Sequence, residues 1–160
     1  MNKILWVLRG QLYRLISRAK FLYLGRPLEL VGIRRLKASK YIGLYPLARI
    51  EIGKKGNIII GNNFRAGHSL FMQTNSLIEI GNNVTVSANV FIGTTDYNWR
   101  EKSGQRLKNR KEIEKPIFIG DNVFIGVSAV ILPGTKLSSG CVVGANVVAK
   151  GDYQEHTIIR

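Results

Sequence analysis

The polar stretch TTDYNWREKSGQRLKNRKEIEKP, running from Thr94 to Pro116, gathers much of what this sequence offers for chemistry. Asp96 and Trp99 suit a carbohydrate, because an indole ring stacks on sugar C–H faces and a carboxylate accepts hydroxyl protons. The basic run from Arg106 to Lys111 could instead attract phosphates or an anionic polysaccharide. A solvated basic loop whose Trp99 packs on a neighbouring subunit would explain the same residues. Only two histidines are present, His68 and His156, and neither lies in this stretch. Two imidazoles cannot supply a three-histidine zinc site, so no metal is expected. The single cysteine, Cys141, excludes an internal disulfide and any cysteine-based zinc cluster.

Something must hold these residues in place. From Ile119 the chain divides as IGDNVF, IGVSAV, ILPGTK, LSSGCV and VGANVV, with an aliphatic residue opening every hexad. The fifth position is always small or medium: Val123, Ala129, Thr135, Cys141, Val147. Turn-forming Gly, Asp, Asn and Ser fill the places between. An earlier block obeys the same rule, with IGNNFR at 60 and then IGNNVT, VSANVF and IGTTDY at 80, 86 and 92. The step from Ile60 to Ile80 is two residues longer than three hexads, which predicts a small insertion at one corner.

A six-residue unit is a short strand plus a tight turn. Three units carry the chain once around a triangular prism, and stacked coils bury continuous aliphatic ladders that no single coil could bury. The period therefore predicts an all-β solenoid, a parallel β-helix, over residues 50–160. Its rhythm is broken by one long protruding loop at about 94–116. Long loops that leave a regular scaffold at a defined corner tend to carry function. The glycines recur with the hexad and serve turns, and no nucleotide-binding glycine motif is present.

Residues 1–49 read as a separate basic cap region. KILWVLRGQLYRLISRAKFLY, residues 3–23, places Ile4, Leu8, Leu12, Leu15 and Ala19 at helical spacing with basic residues interleaved. Residues 24–49 read as loops and short strands. Residues 1–40 hold ten Lys/Arg against one acid, Glu29. The helix could cap an open solenoid end, or lie on a membrane surface, and the excess of arginine favours a cap with peripheral membrane contact. The formal charge of +14 points to an acidic partner. Nucleic acid is disfavoured, since no recognition helix or aromatic platform accompanies the charge. No apolar run reaches membrane-spanning length and no cleavable signal is apparent, so the default expectation is a cytoplasmic protein, peripheral at the inner membrane face.

KPIFIGDNVFIGVSAVILPGTKLSSGCVVGANVVAK resembles the terminal coils of the hexapeptide-repeat acyltransferases, the group with galactoside, maltose and polysaccharide O-acetyltransferases. The likeness covers roughly residues 58–158. It implies a left-handed β-helix, a homotrimer, acetyl-CoA as donor, and a site between neighbouring subunits. In the family a loop histidine takes a proton from a sugar hydroxyl, which attacks the thioester, and a backbone N–H holds the resulting oxyanion. That donor corresponds here to Gly126 and Val127. The pantetheine arm would pass Gly144 and Ala145. Arg65, Asp96, Asn98 and Trp99 would meet the acceptor.

Three departures follow from the same resemblance. The family's loop histidine falls on Tyr97, and a phenol with a pKa near 10 is a poor base at neutral pH. His68 falls where the family's Ala-Asn-Tyr-Asn motif has tyrosine, so histidine and tyrosine read as exchanged. Either His68 serves as the base, or it is a simple corner residue and the protein is catalytically silent. The CoA-lining Thr and Lys of relatives are represented only by Lys150, in shifted register. Relatives also continue into a Pro-Ala-Lys/Arg segment beyond the point where this sequence stops, implying truncation or a differently built donor site.

The combined expectation is an acetyl-CoA-dependent O-acetyltransferase acting on a sugar hydroxyl, free or lipid-linked, in bacterial surface-polysaccharide biosynthesis. The rival is an inactive β-helix that binds glycan or scaffolds a membrane assembly.

Overall fold

The alternation of buried and exposed residues in strands only two to four residues long sets the shape of the column. In the computed structural model, which describes residues 3–97 and 112–160, the chain forms a left-handed parallel β-helix of about six turns with one helix at its N-terminus. Beyond the first coils, each turn contributes one short strand to each of three faces.

The first face stacks Asn57–Ile60, Leu77–Ile80, Ile117–Ile119, Lys136–Leu137 and Asp152–Tyr153. The second stacks Arg65–Ala66, Thr85–Val86, Phe124–Ile125, Val142–Val143 and Ile158–Ile159. The third runs from Glu29–Val31 through Arg49–Ile52, Phe71–Thr74, Phe91–Gly93 and Val130–Ile131 to Val148–Ala149. Pairing is parallel throughout these faces, and the expected ladders are in register. Ile60, Ile80, Ile119 and Leu137 are successive partners, as are Ala66, Val86, Ile125 and Val143. All eight are buried. The fifth-position residues Phe64, Val84, Val90, Val123, Ala129, Thr135 and Cys141 are buried beside them. Thr135 hides its hydroxyl by donating to the Leu132 and Ala149 carbonyls, at 2.6 and 3.1 Å. The two extra residues between Ile60 and Ile80 lengthen the first face, where Ile78 and Ile80 both point inward.

Corners are closed by left-handed residues. Asn63, Asn83 and Asn122 adopt φ of 56°, 57° and 57°, a conformation Asn tolerates. Their side chains link coil to coil, each amide donating to the next Oδ1 at 3.1 Å.

Two sequence expectations change here. The segment 3–23 is not one helix: the helix spans Lys3–Arg14, and Ser17 ends it by donating its hydroxyl to the Tyr13 carbonyl at 2.8 Å. Arg18–Leu24 is a strand, because Ala19 and Phe21 alternate inward against exposed Arg18, Lys20 and Leu22. Nor does the ladder begin near residue 50. Arg18–Leu24 pairs with the long strand Leu36–Leu44, which bends across one corner and pairs with Asn57–Ile60 and then Arg65–Ala66. The first coils therefore lie within the segment read as a cap.

The loop leaves the column at the corner between the third and first faces. Its stem is an antiparallel pair, Thr95–Tyr97 with Glu112–Glu114. Thr95 donates to Glu114 Oε1 at 2.9 Å, and Lys115 N–H donates to the Thr94 carbonyl at 3.0 Å, closing the base. Asn98, Trp99 and the basic run lie outside the described residues.

Candidate functional site at one corner of the column

His68 stands in the turn Gly67–Leu70 between the second and third faces. Phe64 and Leu70 are fully buried on either side and anchor this turn, while Ser69 takes φ 57°. His68 itself is exposed. Gly67 is required by stacking: a Cβ there would lie 2.7 Å from the Ala88 backbone nitrogen of the next coil.

The same corner recurs coil by coil. Asn89 N–H donates to the His68 carbonyl at 2.8 Å, Ser128 N–H to Ala88 at 3.0 Å, and Asn146 N–H to Val127 at 2.8 Å. His68, Ala88, Val127 and Ala145 thus form one vertical column. Gly126 is pressed against the coil above, where a Cβ would lie 2.6 Å from the Ala145 nitrogen. Its N–H is committed to the Val143 carbonyl at 2.8 Å, as is that of Gly144 to Ile159 at 2.8 Å. The N–H groups of His68, Ala88, Val127 and Ala145 find no acceptor among the described residues. In the Gly126–Val127 pair the free donor is therefore that of Val127.

A second group sits beside His68 on the helix side. Tyr45 is edge-on to the imidazole with centroids 5.1 Å apart, and Trp6, Tyr23 and Tyr45 are mutually packed at 5.6–6.3 Å. Lys3, Trp6, Val7, Tyr23 and Tyr45 line a hollow of about 270 Å³. Burial pushes the Tyr23 phenol above its ordinary value of 10.0, with Tyr45 adding to the rise and Arg65 pulling it back. Arg65 lies outward on the strand just before the His68 turn. The sequence reading proposes Arg65 and His68 for this corner and does not place Tyr23, Tyr45 or Trp6 beside them. No hexad marks them in the sequence; the pairing of Leu44 with Ala66 is what places Tyr45 one coil below the His68 turn.

Asp96 and Tyr97 lie elsewhere. They occupy the loop stem at the opposite edge of the third face, where Asp96 Oδ1 accepts the Tyr97 N–H at 2.7 Å. Tyr97 lines a cleft of about 440 Å³ with Glu29, Glu51, Glu112 and Glu114. Strand rise along that face puts roughly 20 Å between the two edges. Within one chain His68 and Tyr97 therefore do not share a pocket. Lys150 follows the strand Val148–Ala149 at that far corner too, away from Val127, with its N–H donating to the Tyr153 phenol at 3.1 Å.

Comparison with known proteins agrees with this architecture. Residues 78–94 and 116–148 match the family described as hexapeptide repeat of succinyl-transferase. The galactoside O-acetyltransferase of Escherichia coli is 32% identical over 102 residues, covering 64% of this chain and 49% of that protein. A maltose O-acetyltransferase structure from Clostridium difficile is 27% identical with a TM-score of 0.63, covering 78% of this chain and 65% of that one. A galactoside acetyltransferase solved with coenzyme A superposes with a TM-score of 0.60 at 23% identity, over 94% of this chain and 64% of that one, and shows the fold alone. The chain spans about half the length of the curated relatives it matches. The ladders described above thus coincide with the hexapeptide repeat of the matching family model, and the chain is similar to the galactoside and maltose O-acetyltransferases that share this fold.

Proposed function

We propose that the protein is an acetyl-CoA-dependent O-acetyltransferase acting on a sugar hydroxyl, free or lipid-linked, in the cytoplasm during surface-polysaccharide assembly. One observation carries the reading: the basic side chain His68 and the Val127 N–H, which finds no acceptor among the described residues, stand on a single column two coils apart, with only Ala88 between them. Coil spacing of about 4.8 Å makes that separation roughly 10 Å. A hydroxyl bonded to imidazole, attacking a carbonyl whose oxygen accepts the N–H, spans roughly 8 Å at ordinary hydrogen-bond lengths. The spacing between the two backbones is of the order of that span, and Ala88 between them carries only a methyl group.

His68 takes the hydroxyl proton as the alcohol oxygen bonds to the thioester carbonyl carbon. The carbonyl oxygen gains the negative charge and accepts the Val127 N–H. As the tetrahedral species collapses the C–S bond breaks, and the imidazolium returns its proton to the departing thiolate. Gly144 and Ala145, one coil above Val127, would lie along the donor's arm.

A prism corner is convex, so walls must come from elsewhere. The Trp6–Tyr23–Tyr45 group supplies one flank with a face suited to a sugar ring. The other flank is a neighbouring copy in a homotrimer, whose edge bearing Asp96 and Tyr97 closes on this corner. Tyr97, standing where relatives carry the base, favours the competing reading of a silent glycan-binding homologue.

Turnover of acetyl-CoA with oligosaccharide acceptors decides between them. His68→Ala is expected to lower kcat by about 10²–10⁴-fold while leaving the melting temperature unchanged. Full activity in His68→Ala would remove the base assigned here, and wild-type protein inert toward every acceptor yet binding glycan would establish the silent reading.

A further inference from the structure

The N-terminal helix packs the wrong way round for a cap. Its buried residues are Trp6 and Gly10, with Tyr13 resting on the core beside them. Gly10 lets the helix approach closely, since a Cβ would lie 3.2 Å from the Phe21 Cβ. The aliphatic residues at helical spacing point the other way. Ile4, Leu8, Leu12 and Leu15 are 71%, 59%, 57% and 84% exposed, and Leu5 lies beside them, also open. At 3.6 residues per turn these form one continuous ridge opposite Trp6 and Gly10.

Charge surrounds this ridge. Lys3, Arg9, Arg14, Arg18, Lys20 and Arg26 accompany it, and the first acid in the chain is Glu29. Beside the helix a groove of about 460 Å³ combines Arg14, Lys20 and Lys40 with exposed Leu22 and Tyr41. An apolar ridge flanked by cations, next to a basic groove with apolar walls, matches the layering of an anionic bilayer: acyl chains beneath, phosphates at the rim. A second copy of the chain fits less well, because it would bring a segment equally rich in cations against this one.

We infer that the exposed face of residues 3–18 is a docking surface for an anionic lipid bilayer. The ridge enters the headgroup boundary while Arg14, Lys20 and Lys40 hold lipid phosphates. Through Trp6 and Tyr45 the same helix adjoins the His68 corner, so docking holds that corner at headgroup level. The binding itself is independent of catalysis and is measured without turnover.

The test is co-sedimentation of the full chain with vesicles of phosphatidylcholine and phosphatidylglycerol, against vesicles of phosphatidylcholine alone. Wild-type protein is expected to partition at least about tenfold more strongly to the anionic vesicles, and less so as salt rises. The double variant Leu8→Ser, Leu12→Ser keeps every charge and both buried anchors, yet is expected to lose about tenfold or more of that binding with an unchanged melting temperature. Wild-type protein that stays in the supernatant overturns the proposal. So does a double variant that binds as well as wild type, since charge alone would then explain the association. A double variant of lower oligomeric mass, with no vesicle binding by either protein, would assign the ridge to a second copy instead.

Discussion

Tyr23 lies with its ring against Gly43, where any Cβ would sit 2.4 Å from the phenol carbon, and edge-on to Tyr45 at 5.6 Å. Its raised pKa has a definite sign for stability. In the unfolded chain the phenol ionises near 10.0, whereas in the folded chain burial keeps the proton on to higher pH. Stability from this group is therefore complete below pH 10 and is lost as pH rises through the folded value. Melting temperatures of wild type and Tyr23→Phe should keep a constant difference at neutral pH, and wild type should fall relative to Tyr23→Phe as pH rises above 10; a constant difference throughout would show that Tyr23 is not the responsive group. At this scale the sequence was only partly legible. His68, Arg65, Gly126 and Val127 were singled out through the resemblance to the hexapeptide-repeat acyltransferases, not through the hexad period. Tyr23 and Tyr45 were not, since they precede the stretch that carries the resemblance and their coil breaks the hexad rhythm. Asp96 and Tyr97 were legible as loop residues, but period alone does not say which corner a loop leaves from relative to His68.

The corner turn recurs from coil to coil, and it carries a polar ladder of its own beside the apolar one. Asn82 Oδ1 accepts the Asn62 backbone N–H and side-chain amide at 2.9 and 3.1 Å, while its own N–H and amide donate to Asp121 Oδ1 at 2.6 and 3.1 Å. Asn82→Ala removes the acceptor of both Asn62 groups and the side-chain bond to Asp121, while the backbone N–H of residue 82 still reaches Asp121 Oδ1. The expected cost is about 1–3 kcal/mol, tempered by partial access to water. That corresponds to a fall of roughly 2–10 °C in Tm for a chain of this size. An unchanged Tm would mean that water replaces the ladder without loss. IGNNFR and IGNNVT announced these turns plainly, because Asn is one of few residues that accept the left-handed conformation. The helix boundary was hidden: Ala19 satisfies helical spacing from Leu15 and strand alternation with Phe21 at once. Only pairing with Leu36–Leu44 decides for the strand.

At the scale of the molecule, the column and its three faces followed from hexad period, because an aliphatic residue every six positions can be buried in few other ways. The early coils did not follow, since the bridging strand Leu36–Leu44 replaces a turn and carries no hexad signature. A lone prism offers convex corners, and catalysis at one of them calls for a second wall. Light scattering should therefore give a mass of three chains at concentrations where transfer is measured. Full turnover by a monomer would show that the Trp6–Tyr23–Tyr45 flank suffices.

The loop stem leaves one more mark. Asn62 and Asn82 are partners 20 residues apart, whereas Asn82 and Asp121 are partners 39 apart with the same geometry. The ladder thus passes across the excursion as though nothing had been spliced in. What is carried beyond the Thr95–Tyr97 and Glu112–Glu114 pair can be lengthened, shortened or swapped without disturbing the register beneath it. An exchange at that single seam would accordingly leave the column of His68, Ala88, Val127 and Ala145 in register.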